Sequence, residues 1–259
     1  MLFRSPDLWE EMRRFAGVDS ALLAAPLPFE PQVAAVLDER SMLLVATGGS
    51  TVSRPGIYEA RTALARCGAP YGQYLLDDVL AGRVDAPLVV LLNAWWLDPE
   101  SRTRLLAATA GRTRLWCYAP GAMDAEDAAG PAAIRQLVGF DLQLVAPPRA
   151  QAVPTAQGRA LGLTSALGVE SSIQPLFGVA DAQPQEVLAT YPDGSAAIAL
   201  RQLADGSRTL FVGVPGLNAE LLRLACRQAG VHLFTERDCN VYANRSEEHT
   251  SELQSPNTI

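Results

Sequence analysis

Apolar positions along the chain follow two periods, and the switches between them mark the elements. Ser5-Pro6-Asp7 opens the first element with a Ser N-cap, Pro at the first helical position and an acid in the first turn. Leu8, Met12 and Phe15 then recur at helical spacing with Trp9 beside them, and Gly17 is the expected end. Ala24 to Pro31 reads as a Pro-containing linker. Val33 to Asp38 has the continuous apolar character of a buried strand. Pro55 to Arg66 predicts an amphipathic helix with Ile57, Ala60 and Leu64 on one face and Gly68 just beyond it. Tyr71 to Leu76 predicts a short strand, and Asp77-Asp78 begins a turn of helix. Leu88 to Leu92 is an unbroken run of Leu and Val, the signature of a strand covered on both faces in a parallel sheet. Asp98-Pro99-Glu100 caps a helix that reaches Gly111. Arg114 to Tyr118 is the next strand, followed by the turn Ala119-Pro120-Gly121.

Strand and helix alternate through this stretch, which predicts a doubly wound, mostly parallel α/β sheet. Asp124 to Ala133 is polar and Ala/Gly-rich, a surface loop leading to a short helix that ends at Gly139. Phe140 to Arg208 differs. Short β-prone pieces (Asp141 to Val145, Ser171 to Phe177, Glu186 to Tyr191, Ala196 to Leu203) alternate with turn pairs such as Asp193-Gly194 and Asp205-Gly206. These are antiparallel excursions attached to the parallel core. Thr209 to Gly213 returns as a core strand. Asn218 caps a final helix through Ala229, with Gly230 as its C-cap. Val231 to Phe234 and Asn240 to Tyr242 read as terminal strands. No internal repeat is evident.

Composition narrows the chemistry. Of the 259 residues, all 21 basic ones are Arg, and the absence of Lys excludes Schiff-base catalysis and a Walker-type phosphate loop. Only His232 and His249 are present, so a His-rich metal site is excluded and a Ser–His–Asp triad has little to draw on. A net charge of −7 argues against a nucleic-acid partner, because phosphate binding needs a basic face. The longest apolar stretch, Ala86 to Leu97, is broken by Asn93 and falls short of the roughly 18 residues of a membrane span. No secretory leader opens the chain, so a cytoplasmic location is expected. Cys67, Cys117, Cys226 and Cys239 have no CxxC spacing and read as buried free thiols.

Ligands of doubly wound sheets bind beyond the carboxyl ends of the strands, and three clusters fall there. Asn93-Ala94-Trp95-Trp96 offers an amide beside paired indoles, which could hold a sugar or a partner surface, or could pack under the next helix. Trp116-Cys117-Tyr118-Ala119-Pro120-Gly121 places a thiol near a turn. Cys117 lies before the turn, however, with no Gly two positions upstream, unlike a nucleophile elbow. Asp77-Asp78 pairs two carboxylates that point different ways from a helix start, which favours capping over acid–base work. His232 and Glu236 would lie roughly 13 Å apart on a strand, too far to pair. Asn93, Trp95, Trp96, Tyr118 and Asp78 are the candidate ligand or interface residues. No catalytic, cofactor-binding or metal-binding residue is assigned, and no cofactor is expected.

Several of these motifs occur together in order. They are Leu75-Leu76-Asp77-Asp78, Leu92-Asn93-Ala94, Leu115-Trp116-Cys117-Tyr118-Ala119-Pro120-Gly121, Ala229-Gly230-Val231-His232 and Val241-Tyr242-Ala243-Asn244. The set resembles the middle domain of proteins related to glycoside hydrolase family 42 β-galactosidases, the β-galactosidase trimerisation domain. The resemblance runs from about Pro31 to Asn244. It implies a flavodoxin-like, class I glutamine-amidotransferase-like fold and a non-catalytic, oligomer-forming role, with homotrimers formed through the parent protein. In that family a TIM barrel carries the two catalytic carboxylates, and no room for one remains before residue 30. The helix from Ser5 to Ala16 resembles the barrel's trailing edge or a connector from it. True amidotransferases of this fold carry an elbow Cys and a His-x-Glu, patterns this chain lacks, so no catalytic residue is carried over. Two other readings stand beside this one: a carbohydrate-binding module using Trp95 and Trp96, and a hydrolase dependent on Cys117. Arg245 to Ser255 resembles the in-frame translation of a sequencing adapter, a contaminant of metagenomic gene models. Three parts are therefore expected: a connector over 1–30, the domain over 31–244 and a disordered artefact over 245–259.

Overall fold

The computed structural model describes residues 5–24, 30–44, 51–123 and 131–241. The expected artefact, His249, Tyr242 to Asn244 and most of the loop after Asp124 lie outside the described residues. Helix α1 (Pro6–Ala24) comes first. Strand β1 (Val33–Leu37) leads into a short helix α2 (Glu39–Leu43), capped by Asp38, whose carboxylate accepts from the backbone N–H groups of Arg40 and Ser41. A π-helical turn over Arg54–Tyr58 runs into α3 (Ala60–Ala65). Then follow β2 (Tyr71–Leu75), α4 (Leu76–Leu80), β3 (Leu88–Leu91), α5 (Pro99–Ala108) and β4 (Thr113–Cys117). After α6 (Pro131–Val138) come β5 (Leu142–Leu144), β6 (Gln151–Pro154), α7 (Ala156–Ala160), β7 (Leu167–Gly168), β8 (Phe177–Val179) and β9 (Val187–Thr190). Strands β10 (Ala196–Gln202) and β11 (Arg208–Val212) and helix α8 (Ala219–Gln228) complete the described chain.

The result is a mixed α/β fold around an 11-stranded sheet. Strands β2-β1-β3-β4-β11 lie side by side and parallel, with Val33 level with both Tyr71 and Leu88, and Thr113 level with both Leu88 and Arg208. Every residue of β3 is buried, as the unbroken apolar run predicts for a strand with helices on both faces, and every residue of β4 is buried too, Arg114 included. Beyond β11 the sheet turns antiparallel through β10, β9, β6 and β7, and β8 pairs with β10 and β5. The excursions are thus continuations of the same sheet. The turns at Gly194 (φ 87°) and Gly206 (φ 84°) join β9 to β10 and β10 to β11, as the Asp-Gly pairs predict. This half is pinned by Arg201. Its guanidinium bonds both carboxylate oxygens of Glu186 (2.7 and 2.8 Å) and one of Asp181 (2.9 Å), and lies 4.3 Å from the centroid of the Phe140 ring.

Four expectations need correction. Helix α1 does not stop at Gly17 but continues to Ala24. Gly17 keeps an ordinary φ, and the roughly 1 kcal/mol that Gly costs inside a helix is spread over a long one. Pro55 to Arg66 is not one α-helix: Pro55 has no N–H to give, and Glu59 N–H reaches back to Arg54 O (3.0 Å), which widens the first turn. The strand near Ser171 to Phe177 begins only at Phe177. The described residues of the two terminal segments, 231–234 and 240–241, are not strands. Both sides of β11 are already taken by β4 and β10, so this stretch crosses the end of α3 instead: Phe234 N–H bonds Gly68 O (2.8 Å) and Val241 N–H bonds Ala65 O (3.1 Å).

Candidate functional site

The strand order reverses between β1 and β3, and in such sheets the crevice at this point is the usual ligand position. Here the chain fills it. Asn93, fully buried just after β3, accepts from Asp38 N–H through Oδ1 (2.7 Å) and donates through Nδ2 to Asp38 O (2.8 Å). Its side chain therefore copies a strand pairing across the ends of β1 and β3. Ser41, also fully buried, donates its hydroxyl to Asp38 Oδ2 and accepts from the backbone N–H groups of Trp95 (3.1 Å) and Trp96 (2.8 Å). The polar groups of the crevice thus satisfy one another.

Aromatic rings close the rest. Trp95 is only 2% exposed, packs edge-on against Tyr118 (6.1 Å between centroids) and donates Nε1–H to Cys117 O (3.4 Å). Tyr118 packs edge-on against Phe177 (6.5 Å) and donates its hydroxyl to Pro175 O (2.5 Å). Tyr118 has φ 65°, the left-handed region that non-Gly residues rarely adopt. The turn that follows ties back to the loop after β3 through Gly121 N–H to Ala94 O (2.8 Å). Burial pushes the Tyr118 phenol up to about 12, and the Cys117 thiol upward as well. A thiol held protonated inside a strand is a poor nucleophile.

The structure therefore brings Asn93, Trp95 and Tyr118 together, but as packing. Trp96 is half-buried, with the Arg40 guanidinium 5.4 Å from its ring centroid. An apolar patch made of both Trp side chains is not present, because their indoles have opposite fates. Asp78 belongs to another turn. It caps α4 by accepting from Leu75 N–H (3.1 Å) and pairs with Arg83 (2.6 Å), and these contacts, led by Arg83, hold its carboxyl below the usual range. His232 packs edge-on against Phe234 (4.8 Å), while Glu236 pairs with Arg227 (2.7 Å).

Open space lies elsewhere. A groove of about 630 Å³ runs over the carboxyl end of β11 between α3 and the start of α8. Glu59, Thr62 and Arg66 line one side, and Asn218, Glu220 and Arg223 the other. A smaller hollow of about 180 Å³ borders it beside Pro215-Gly216. Glu220 holds the far rim by accepting from the N–H and hydroxyl groups of Thr164 and Ser165 (2.7–2.9 Å). Burial pushes this carboxyl up, but those hydrogen bonds outweigh it and set it below its ordinary value. Arg223 is buried and donates to Arg66 O (2.9 Å) and Arg237 O (3.1 Å), joining three segments beneath the groove. None of these residues stands out in the sequence. The only local signal is the Asn218 cap, which follows the Gly213-Val214-Pro215-Gly216 turn after a buried strand.

No family model matches the chain, and no curated protein sequence does. Solved structures do. Gan42B, a glycoside hydrolase family 42 β-galactosidase from G. stearothermophilus, matches with a TM-score of 0.59 at 17% identity, over 84% of this chain and 32% of that one. The cold-adapted β-galactosidase from Rahnella sp. R3 gives 0.55 at 20% identity, over 84% and 34%. The β-galactosidase from the psychrophilic Marinomonas ef1 gives 0.55 at 15%, over 86% and 33%. The chain therefore shares the fold of one part of these β-galactosidases and spans about a third of their length.

Proposed function

We propose that this chain is a non-catalytic, oligomer-forming domain of a β-galactosidase-like glycoside hydrolase. Its parallel strands, taken in chain order, run 2-1-3-4-5, the flavodoxin-like order. This order supports the reading of the core as class I glutamine-amidotransferase-like. The observation that carries the functional reading is the closed crevice at the strand ends. Where an enzyme of this layout keeps a ligand site, Asn93, Ser41, Trp95 and Tyr118 are spent on one another. The structural likeness to part of family 42 β-galactosidases points the same way.

The apolar face of α1 is suited to contact with another protein surface. Leu8, Trp9, Met12 and Phe15 are each 40–54% exposed, and such a contiguous stripe marks an interaction site. It replaces the Trp95–Trp96 pair as the interface candidate within one homotrimer. The carbohydrate-binding reading is weaker, because Trp95 has no exposed ring to offer a sugar. Free cysteines fit a reducing, cytoplasmic setting.

The test is a purified chain assayed with nitrophenyl galactosides and weighed by sedimentation equilibrium. A trimer without turnover is expected. A monomer at every accessible concentration sinks the oligomer reading, and measurable turnover sinks the non-catalytic one.

A further inference from the structure

The open groove holds a buried positive charge without a counter-charge in the described chain. Arg223 lines the groove and is only 9% exposed. Among the described residues its guanidinium bonds through Nη2 alone, to Arg66 O (2.9 Å) and Arg237 O (3.1 Å), and no carboxylate pairs with it. Its Nε–H is buried with no acceptor. A cation withdrawn from water without a partner is costly, so an anion at this place is stabilising. The three acids of the groove do not supply it. Glu59 accepts from Arg54 (3.1 Å), Asp238 pairs with Arg66 (3.4 Å), and Glu220 is taken by the N–H and hydroxyl groups of Thr164 and Ser165. A second set of donors stands beside Arg223. Ala219 and Glu220 lie one turn before it on the same face of α8, and both line the groove. The Asn218 cap takes Leu221 N–H (2.8 Å), while the N–H groups of Ala219 and Glu220 have no partner among the described residues. The positive end of the helix and the guanidinium therefore act on one space.

We propose that this groove binds a singly charged, hydroxylated carboxylate of about monosaccharide size, with the carboxylate seated against Arg223 and the first turn of α8. One unmatched cation is balanced by one negative charge, and a guanidinium suits a carboxylate. A phosphate dianion leaves a surplus negative charge facing Glu59, Glu220 and Asp238. The volume of about 630 Å³ is far more than a simple ion needs and falls within the range of small-molecule sites. Thr62 and Asn218 offer a hydroxyl and an amide to the ligand's hydroxyl groups, and Ala63 and Leu217 offer apolar surface to its carbon face. The site shares no residue with the closed crevice or with the apolar face of α1, so it stands or falls apart from the oligomer reading.

The whole chain is titrated at neutral pH with galacturonate and gluconate, a ring and an open-chain form of the class, and in parallel with galactose and inorganic phosphate. Calorimetry should give at least one of the two carboxylates a dissociation constant of roughly millimolar or tighter, about tenfold or more below those of galactose and phosphate. In proton–nitrogen correlation spectra the Ala219 and Glu220 amides and the Arg223 Nε–H should shift during that titration. Ala219→Asp sets a carboxylate at the first position of α8, where a helix tolerates an acid. It should weaken carboxylate binding about tenfold or more without lowering the thermal midpoint. Arg223→Met should abolish binding. Because Arg223 also ties three segments together, the wild-type titrations and Ala219→Asp decide the matter where Arg223→Met folds poorly. The proposal fails if neither carboxylate gives heat or shifts up to about 10 mM. It fails equally if galactose or phosphate binds as tightly, or if Ala219→Asp binds like wild type.

Discussion

Two places at the carboxyl ends of the parallel strands have opposite characters. Over β1, β3 and β4 the chain closes on itself, and each polar atom of Asn93 and Ser41 finds a partner a few residues or a whole βα unit away. Over β11 a groove rimmed by Glu59, Arg66 and Glu220 stays open between α3 and α8. The first region is built from side chains that mimic backbone pairing, the second is lined largely by charged and polar side chains. Position in a sheet therefore says where a site can be, and the loops decide whether one is left open.

The largest expected effect tests the closed side. Trp95→Ala should cost about 3–5 kcal/mol and lower the thermal midpoint by roughly 10 °C, because it empties a fully packed ring position. Trp96→Ala should cost less than about 1 kcal/mol, since its indole is half in water. Equal losses in calorimetry would mean that the two indoles share one environment and would erase the difference between them.

Next in size is Asn93→Ala, which strands the Asp38 N–H without an acceptor. A loss of about 2–3 kcal/mol in urea unfolding is expected. A loss below half a kilocalorie would show that water takes over the role of the amide.

The smallest effect tests the open side. The Glu220 carboxyl sits below its ordinary value in the folded chain, so its contribution is present above the unfolded carboxylate pKa, near 4.3, and is lost as pH falls through the folded value. Glu220→Gln should flatten the acid limb of the stability–pH curve by a modest amount and leave the neutral limb nearly parallel to wild type. An acid limb identical to wild type would mean that the rim contacts to Thr164 and Ser165 carry no charge-dependent stability.

Much of the framework is legible in the sequence, because its signals are local. The Leu88 to Leu92 run, the Asp98 and Asn218 caps and the two Asp-Gly turns each act within a few residues, and each appears where expected. The direction in which Trp95 turns is not legible. Trp95 and Trp96 are adjacent and the Ser41 hydroxyl, from another βα unit, accepts from both backbone N–H groups, yet only the Trp95 ring packs against Tyr118, a residue of the next βα unit. Asp38 reads as the end of a strand, yet it is also the cap of a five-residue helix too short to leave a periodic trace. The groove is less legible still. Glu59, Ser165, Asn218 and Asp238 come from four distant stretches, and no pattern within any one of them foretells a cavity.

The placement of β11 has a consequence for how the molecule is assembled. It is the fifth parallel strand, yet everything from Cys117 to Arg208 is made between it and its neighbour β4. Until β11 arrives, the edge of β4, with Leu115 at its centre, has no pairing on that side. The hairpin that delivers β11 alongside β10 is local and can form quickly, whereas its docking onto β4 must wait for the whole excursion to be gathered in. A nascent or partly unfolded chain would thus present β4 as an unguarded apolar edge, the kind of template that recruits other chains into aggregates. Completion of this sheet, more than the packing of any single helix, sets when the molecule is safe from its own copies.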